Sequence, residues 1–305
     1  MIETLNSPET YSQTFEGDIS LEADILSAGK LMAEGRAIAV DNSSVWAIWG
    51  DANDSNFIYE AQAAKQRDPN KTFGLTLSSA HFIEMIDKES LSPAVQELIS
   101  DPNYFAELIG GFAFVRAPAN ILKLAEYSIP HSVVSIDFSN YDVKIQNFDP
   151  VFSPNMRQLI EVASQEKRTA GKPAFIPAVT SLNPSGTQEL VCKEDASAFA
   201  IANGLPILNN ANASRLSIGS FPILEIGTDV VLKRRGNIAD NLLEDMLYEL
   251  PYRVDPDVIK RSECAVPYEL PDYLLDRATP LRGIDLSRAI REDLEHYKFV
   301  PQQRA

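Results

Sequence analysis

Apolar residues recur at helical spacing through LEADILSAGKLMAE, residues 21–34, and then run almost unbroken through GRAIAV, residues 35–40. A period of about 3.6 residues predicts an amphipathic helix, and the short apolar block entered through Gly35 predicts a buried strand. The exchange of periods continues down the chain. SNFIYEAQAAKQ, residues 55–66, has a helical pattern with Ser55 as the expected cap, and TFGLTL, residues 72–77, follows as a strand. Further strands are expected at 110–115, 132–138, 173–179, 205–209, 221–226 and 229–234, with helices at 153–167 and 194–204. Strands outnumber the helices between them, so the class is α/β with a mixed rather than purely parallel sheet. After about residue 240 the texture turns Pro-punctuated and charge-rich, closing on an amphipathic helix at about 285–297. The expected division is therefore a main domain at 1–240 and a helical, Pro-rich extension at 241–305.

Charge changes the picture more than size does. A chain of 305 residues with 45% hydrophobic positions can bury a large core, but its net charge is −16. That charge repels nucleic acid and anionic membrane, so any polyanionic ligand needs a local basic site. Cys192 and Cys264 stand far apart with no CxxC pair and read as buried free thiols. The first twenty residues lack the basic and apolar regions of a signal peptide, and no run approaches membrane-span length. A cytoplasmic, membrane-free protein is the expectation.

Most familiar catalytic patterns are missing. There is no GxxxxGK[ST] loop, no GxGxxG after the first strand, no GxSxG elbow and no HExxH. His81, His131 and His296 are isolated in sequence and read as surface or satisfied histidines. Three polar stretches remain, each at an expected turn. Lys65, Arg67 and Lys71 fall where a helix gives way to a strand, and cations there also complement the helix dipole. TSLNPSG, residues 180–186, follows an apolar strand and offers hydroxyls, an amide and backbone N–H groups to a phosphate or a base edge. Lys233, Arg234 and Arg235 end another strand, where alternation sends one toward a shared pocket and its neighbours outward.

The order of these pieces resembles the YrdC/Sua5 family, whose best-known members make threonylcarbamoyl-adenylate from threonine, bicarbonate and ATP. The family's PTxTVYGLxxDA, KxRPxxxPL, TSANxSG and STVVD…VLRxGxI segments correspond to DNSSVWAIWGDA (41–52), KQRDPNKTFGL (65–75), TSLNPSG (180–186) and SFPILEIGTDVVLKRRGNI (220–238). The resemblance implies a twisted mixed sheet with flanking helices and a concave cationic cavity. It assigns Lys65 and Arg67 to the phosphates and the acyl-adenylate, as nucleotide-binding and catalytic groups. Thr180, Ser181 and Asn183, with Ser185 in the same loop, fall to the nucleotide phosphates, and Ser220 and Arg234 face the nucleotide. Asp41, Asn42, Ser44 and Trp46 lie in the segment that shapes the threonine pocket. ATP and Mg2+ are the implied cofactors, the metal held through phosphate oxygens with no direct protein ligand. The implied partners are an amino acid or amine, bicarbonate, and a downstream enzyme that accepts the activated group; nucleic acid is disfavoured.

Departures bear on the substrate. The family's PT is Asp41-Asn42 here, its second Thr is Ser44, its Tyr is Trp46, and the Pro of KxRP is Asp68. WPGPLT is replaced by LIGGFAF at 108–114, so Ala113 stands where a hydroxyl is usual. The strand expected to carry VRxP is SVVSIDF, which leaves no cation near Ile136 or Asp137. Three readings follow: threonylcarbamoyl-adenylate synthesis with pyrophosphate release, a diverged enzyme activating another carboxylate or carbamate in a small-molecule pathway, or a noncatalytic nucleotide- or RNA-binding module.

Overall fold

The computed structural model describes residues 15–139, 142–151, 153–213, 217–271 and 281–296. Its strands are β1 (Glu16–Asp18), β2 (Ile38–Asp41), β3 (Trp46–Asp51), β4 (Gly74–Leu75), β5 (Phe114–Pro118), β6 (Val134–Asp137), β7 (Asp142–Asn147), β8 (Pro177–Ser181), β9 (Ile207–Asn209), β10 (Ile223–Ile226), β11 (Val230–Arg234) and β12 (Tyr252–Ile259). The helices are α1 (Glu22–Ala33), α2 (Ser55–Lys65), α3 (Ser79–Glu84), α4 (Pro93–Leu98), α5 (Pro102–Ile109), α6 (Ile121–Glu126), α7 (Pro154–Thr169), α8 (Lys193–Ala202), α9 (Asp240–Met246) and α10 (Gly283–His296).

These strands form one mixed sheet in the order β1-β9-β2-β3-β8-β4-β7-β5-β10-β11-β12, with β6 also paired to β7. Every residue of β2 and β3 is buried. Their unbroken apolar runs are what a strand covered on both faces requires. β5 alternates buried and half-buried positions, as period-two geometry dictates for a strand with one face in the core and one on open space.

Caps set the helix starts. Asp54, not the expected Ser55, caps α2, its side chain accepting from the Asn56 backbone N–H at 3.0 Å, and Ser55 becomes the first helical residue. Asp101 caps α5 and Asn120 caps α6 in the same way. At the other end of α2, Gln66 takes the left-handed conformation, φ 47°, and turns the chain sharply.

Helices α1 and α7 pack together on one face of the sheet, burying Ile25, Met32, Trp49, Met156, Leu159 and Leu208. They approach closely because Gly29 has no side chain; a Cβ there would lie 2.5 Å from Val162 Cγ1. The opposite face carries the larger core, including Trp46, Phe57, Phe82, Phe105, Leu224 and Leu232. Helix α1 contacts β1, β2 and β3. Farther along the same face, over β8, β4, β7, β5 and β10, the sheet floors a cavity instead.

The segment after residue 240 does more than trail along the surface. β12 adds to the sheet parallel to β11, Tyr268 is buried, and α10 packs on α5 and α9. The boundary expected at 240/241 thus falls between neighbouring strands of one sheet. Among the described residues, no helix is long and apolar enough to cross a membrane. Neither cysteine is fully buried as expected; both are free and half-buried, and the Cys192 thiol donates to Asp195 Oδ2 at 3.0 Å.

Candidate functional site

The cavity encloses about 500 Å³, and its walls bring together Arg67, Lys71, Arg116, Lys144 and Arg234. Strand geometry explains how residues distant in sequence converge. In β5, Phe114 and Arg116 face the cavity while Val115 and Ala117 enter the core; in β7, Lys144 and Gln146 face it from the adjacent strand. Arg116 is registered opposite Gln146 and on its other side opposite Glu225 of β10. Gly74 keeps the floor low: a Cβ there would meet Phe114 Cε1 at 2.9 Å. Thr180 and Ser181 enter from the end of β8, and Ser220 from the approach to β10.

The five cations differ in their partners. Lys144 is paired with Asp142 at 2.6 Å and Glu225 at 3.3 Å. Burial alone would lower its pKa, but these carboxylates prevail and raise it. Arg116 bonds Gln146 at 3.0 Å, with Glu225 at 3.8 Å. Arg67 and Arg234, by contrast, have no carboxylate within ion-pair distance among the described residues. Arg67 donates to Thr180 Oγ1 at 2.9 Å and to the Thr72 carbonyl, and lies over the Phe73 ring at 5.4 Å. Its Nε is buried without a partner. Arg234 donates from Nε and Nη2 to the Phe221 carbonyl at 3.1 and 2.7 Å. Burial lowers both pKa values; for Arg234, with Glu189 opposing and Arg116 adding to the fall, it reaches about 10. Both remain charged at neutral pH. Neutral acceptors orient these guanidiniums without neutralising them, which suits an incoming anion.

No protein-family model matches the chain, and no curated protein sequence matches it. Among solved structures it superposes on a variant of P. abyssi Sua5 with a TM-score of 0.59 at 18% identity, covering 82% of this chain and 68% of that one. P. abyssi Sua5 complexed with L-threonine gives 0.56 at 15% identity, over 94% and 89% of the two chains. E. coli YciO gives 0.51 at 15% identity, over 73% and 93%. The chain has the YrdC/Sua5-like fold.

Within that fold, the residues singled out from sequence divide. Arg67, Thr180, Ser181, Ser220, Arg234 and Asn42 line the cavity, as does exposed Lys71. Lys65 does not. It is only 2% exposed, and its Nζ reaches the Ser181 carbonyl, the Asn183 carbonyl at 2.7 Å and Asn183 Oδ1 at 3.1 Å. Burial, then the Arg67 and Lys71 charges, draw its pKa down to about 7. With Ser181 Oγ at 3.3 Å, four oxygens nonetheless surround the three N–H groups of an ammonium. Lys65 therefore braces the 181–183 loop from behind, and the Ser185 N–H donates to the Lys65 carbonyl at 2.8 Å. Asn183 is buried within that brace.

The first segment scatters further. Trp46 is a core residue with no exposure, and Asp41 lines a separate small cavity with Asp18, Lys193 and Asn209. Ser44 lines a second chamber that Asn42 shares with the main cavity. Lys233 and Arg235, which flank Arg234, pair with Asp255 and Asp240.

The expected loss of a cation near Ile136 does not hold for the cavity. Ile136 lines it, but Lys144 stands beside it, registered opposite Ser135 of β6, and Arg116 lies beyond. Both cations were missed from sequence. The signal was present in VRAP and VKIQ, where one basic residue falls between two core-facing ones.

Proposed function

We propose that the cavity binds a nucleoside triphosphate, ATP in the first instance, and activates a carbamate or carboxylate as its adenylate with release of pyrophosphate. The observation that carries this reading is the pair Arg67 and Arg234: two charged guanidiniums held by neutral acceptors in a cavity of an otherwise strongly acidic chain. Free positive charge in a cleft is suited to phosphates and to the extra charge that develops on the α-phosphoryl group. Arg67 and Arg234 would hold those oxygens, with Thr180, Ser181 and Ser220 adding hydroxyl donors. Magnesium, where bound, belongs to the triphosphate oxygens and offsets charge on the leaving pyrophosphate.

Threonine and bicarbonate are the first substrate pair to consider, because Sua5 with L-threonine is among the structural neighbours. The amine attacks the bicarbonate carbon and water departs, giving a carbamate. A carbamate oxygen then attacks the α-phosphorus, and the bond to the bridging oxygen of pyrophosphate breaks. Lys65 is a positioning residue in this scheme, holding the loop that carries Ser181. A second reading, activation of a different amine or carboxylate, is favoured by the placement of Asp41 and Trp46 away from the cavity. The deciding experiment measures pyrophosphate release with ATP, magnesium and bicarbonate, comparing threonine with no amine and with a panel of other amines and carboxylates. Threonine dependence selects the first reading, and release with another compound alone selects the second. Tight ATP binding with no release across the panel leaves a nucleotide-binding module and removes the adenylate proposal.

A further inference from the structure

Arg116 stands at the middle of the cavity floor, opposite Gln146 of β7. β4 runs parallel to β7 with Leu75 opposite Asn147, which sets Gly74 beside Gln146. Thr72, whose carbonyl holds Arg67, lies two residues before Gly74. On the other side Phe114 lies two residues before Arg116 and shares Ile223 as a strand neighbour with Arg234. Two residues of strand span about 7 Å. The backbone of Arg116 therefore sits between the levels that anchor Arg67 and Arg234.

What Arg116 and Gln146 offer is donors. Arg116 Nη2 donates to Gln146 Oε1 at 3.0 Å, which occupies the amide's acceptor, and Gln146 Nε2 makes no hydrogen bond among the described residues. Glu225 stops 3.8 Å from Arg116 Nη1, beyond hydrogen-bond distance, and comes nearer to Lys144, at 3.3 Å. These donors can be reached: both side chains line the cavity and are half-buried, that of Arg116 being 34% exposed. A guanidinium and an amide NH2 side by side match a planar group that presents only acceptor oxygens. Charge narrows the choice. Arg116 and Lys144 are opposed by Asp142 and Glu225, so the four charges sum to zero. A phosphate chain gains more at Arg67 and Arg234, where no carboxylate stands within ion-pair distance among the described residues, and a single charge spread over two oxygens suits the fork.

We infer that Arg116 and Gln146 form a site for one planar, singly charged carboxyl group, separate from the phosphate contacts at Arg67 and Arg234. Two sources carry that chemistry: a carboxylate on an organic co-substrate, and bicarbonate. The site's part in the reaction rests on the adenylate reading. A carboxyl group held between the two arginines lies beside the phosphoryl group they hold, the placement from which its oxygen attacks the α-phosphorus as the bridging bond to pyrophosphate breaks.

The test uses the full chain without nucleotide, with acetate and bicarbonate labelled at the carboxyl carbon as NMR probes and acetamide as the neutral control. Saturable binding of a probe is expected, and none of acetamide, whose NH2 would face donors. Acetate alone assigns the site to a co-substrate carboxylate, bicarbonate alone to bicarbonate, and mutual competition to a carboxyl group from either source. Gln146→Leu removes a donor but no charge, and should weaken probe binding about fivefold with ATP affinity unchanged. Arg116→Gln should weaken it more than about tenfold. That variant should lower ATP affinity no more than about fivefold, a field effect that fades with salt. Arg116→Lys restores the charge but not the fork, so ATP affinity should return while the probe stays weakly bound. No saturable binding of either probe, equal binding of acetamide, binding that Gln146→Leu and Arg116→Gln leave intact, or full probe binding in Arg116→Lys overturns the inference. ATP binding and pyrophosphate release are measured apart from it, so the carboxyl site and the adenylate reading stand or fall independently.

Discussion

One face of the sheet carries two cationic regions that differ in what meets the charge. Under α7, Lys167 is 4% exposed and bonded to Asp51 at 2.5 Å, with Asp54 at 3.5 Å. Farther along the face, Arg67 and Arg234 are half-buried and are held only by carbonyl and hydroxyl oxygens. The first arrangement completes itself within the fold. The second leaves its charge to be met from outside, which is why the uncovered part of the face, rather than the part with the strongest ion pair, is read as the site. Burying a cation without a carboxylate reduces stability, so an arrangement repeated at two arginines in one cavity points to a ligand.

The sharpest way to break this comparison is to remove one cation from each region. Lys167→Met leaves Asp51 buried and unpaired, and should reduce unfolding free energy by about 3–5 kcal/mol, measured by denaturant titration, with ATP affinity unchanged. Arg67→Ala and Arg234→Ala should do the reverse. Each is expected to weaken ATP binding by about 1.5–3 kcal/mol in calorimetry, the range for a charge-assisted hydrogen bond. Equal losses of stability in all three variants, with ATP binding untouched, would remove the distinction between the regions.

Lys65 shows how far the sequence could carry this distinction. It lies two positions from Arg67 at the end of the same helix, and nothing in the local pattern separates a lysine that meets a ligand from one that ties down a loop. The separation comes from Gln66, whose left-handed turn sends Arg67 to the cavity and leaves Lys65 behind the 181–183 loop. The fold was more legible than the site, because four ordered segments and the apolar periods survive local substitution. Strand β7 was missed for the reason that makes it useful: its cavity-facing Lys144 and Gln146 interrupt the apolar pattern that marks a strand. The cap of α2 was misplaced by one residue because Asp54 and Ser55 are both good cap formers, and only the structure shows which side chain accepts the bond. β12 was hidden by its composition, YRVDPDVI, whose exposed charges and Pro256 suit the sheet edge where it lies.

The smallest effect is expected within the cavity, at Glu225. This carboxylate is bonded to Lys144 at 3.3 Å and stands 3.8 Å from Arg116, so those two cations are partly neutralised while Arg67 and Arg234 are not. Glu225→Gln keeps the size and a hydrogen-bonding oxygen but removes the negative charge. Lys144 retains Asp142, so the variant should stay folded, and the cavity becomes more positive by one charge. ATP binding should then tighten by about 0.2–1 kcal/mol at low salt, the scale of a partly exposed ion pair, and the gain should fade as ionic strength rises. Weaker binding would instead mean that Glu225 holds Arg116 and Lys144 in the pose a phosphate needs, making the carboxylate a positioning group rather than a competitor for the same charge.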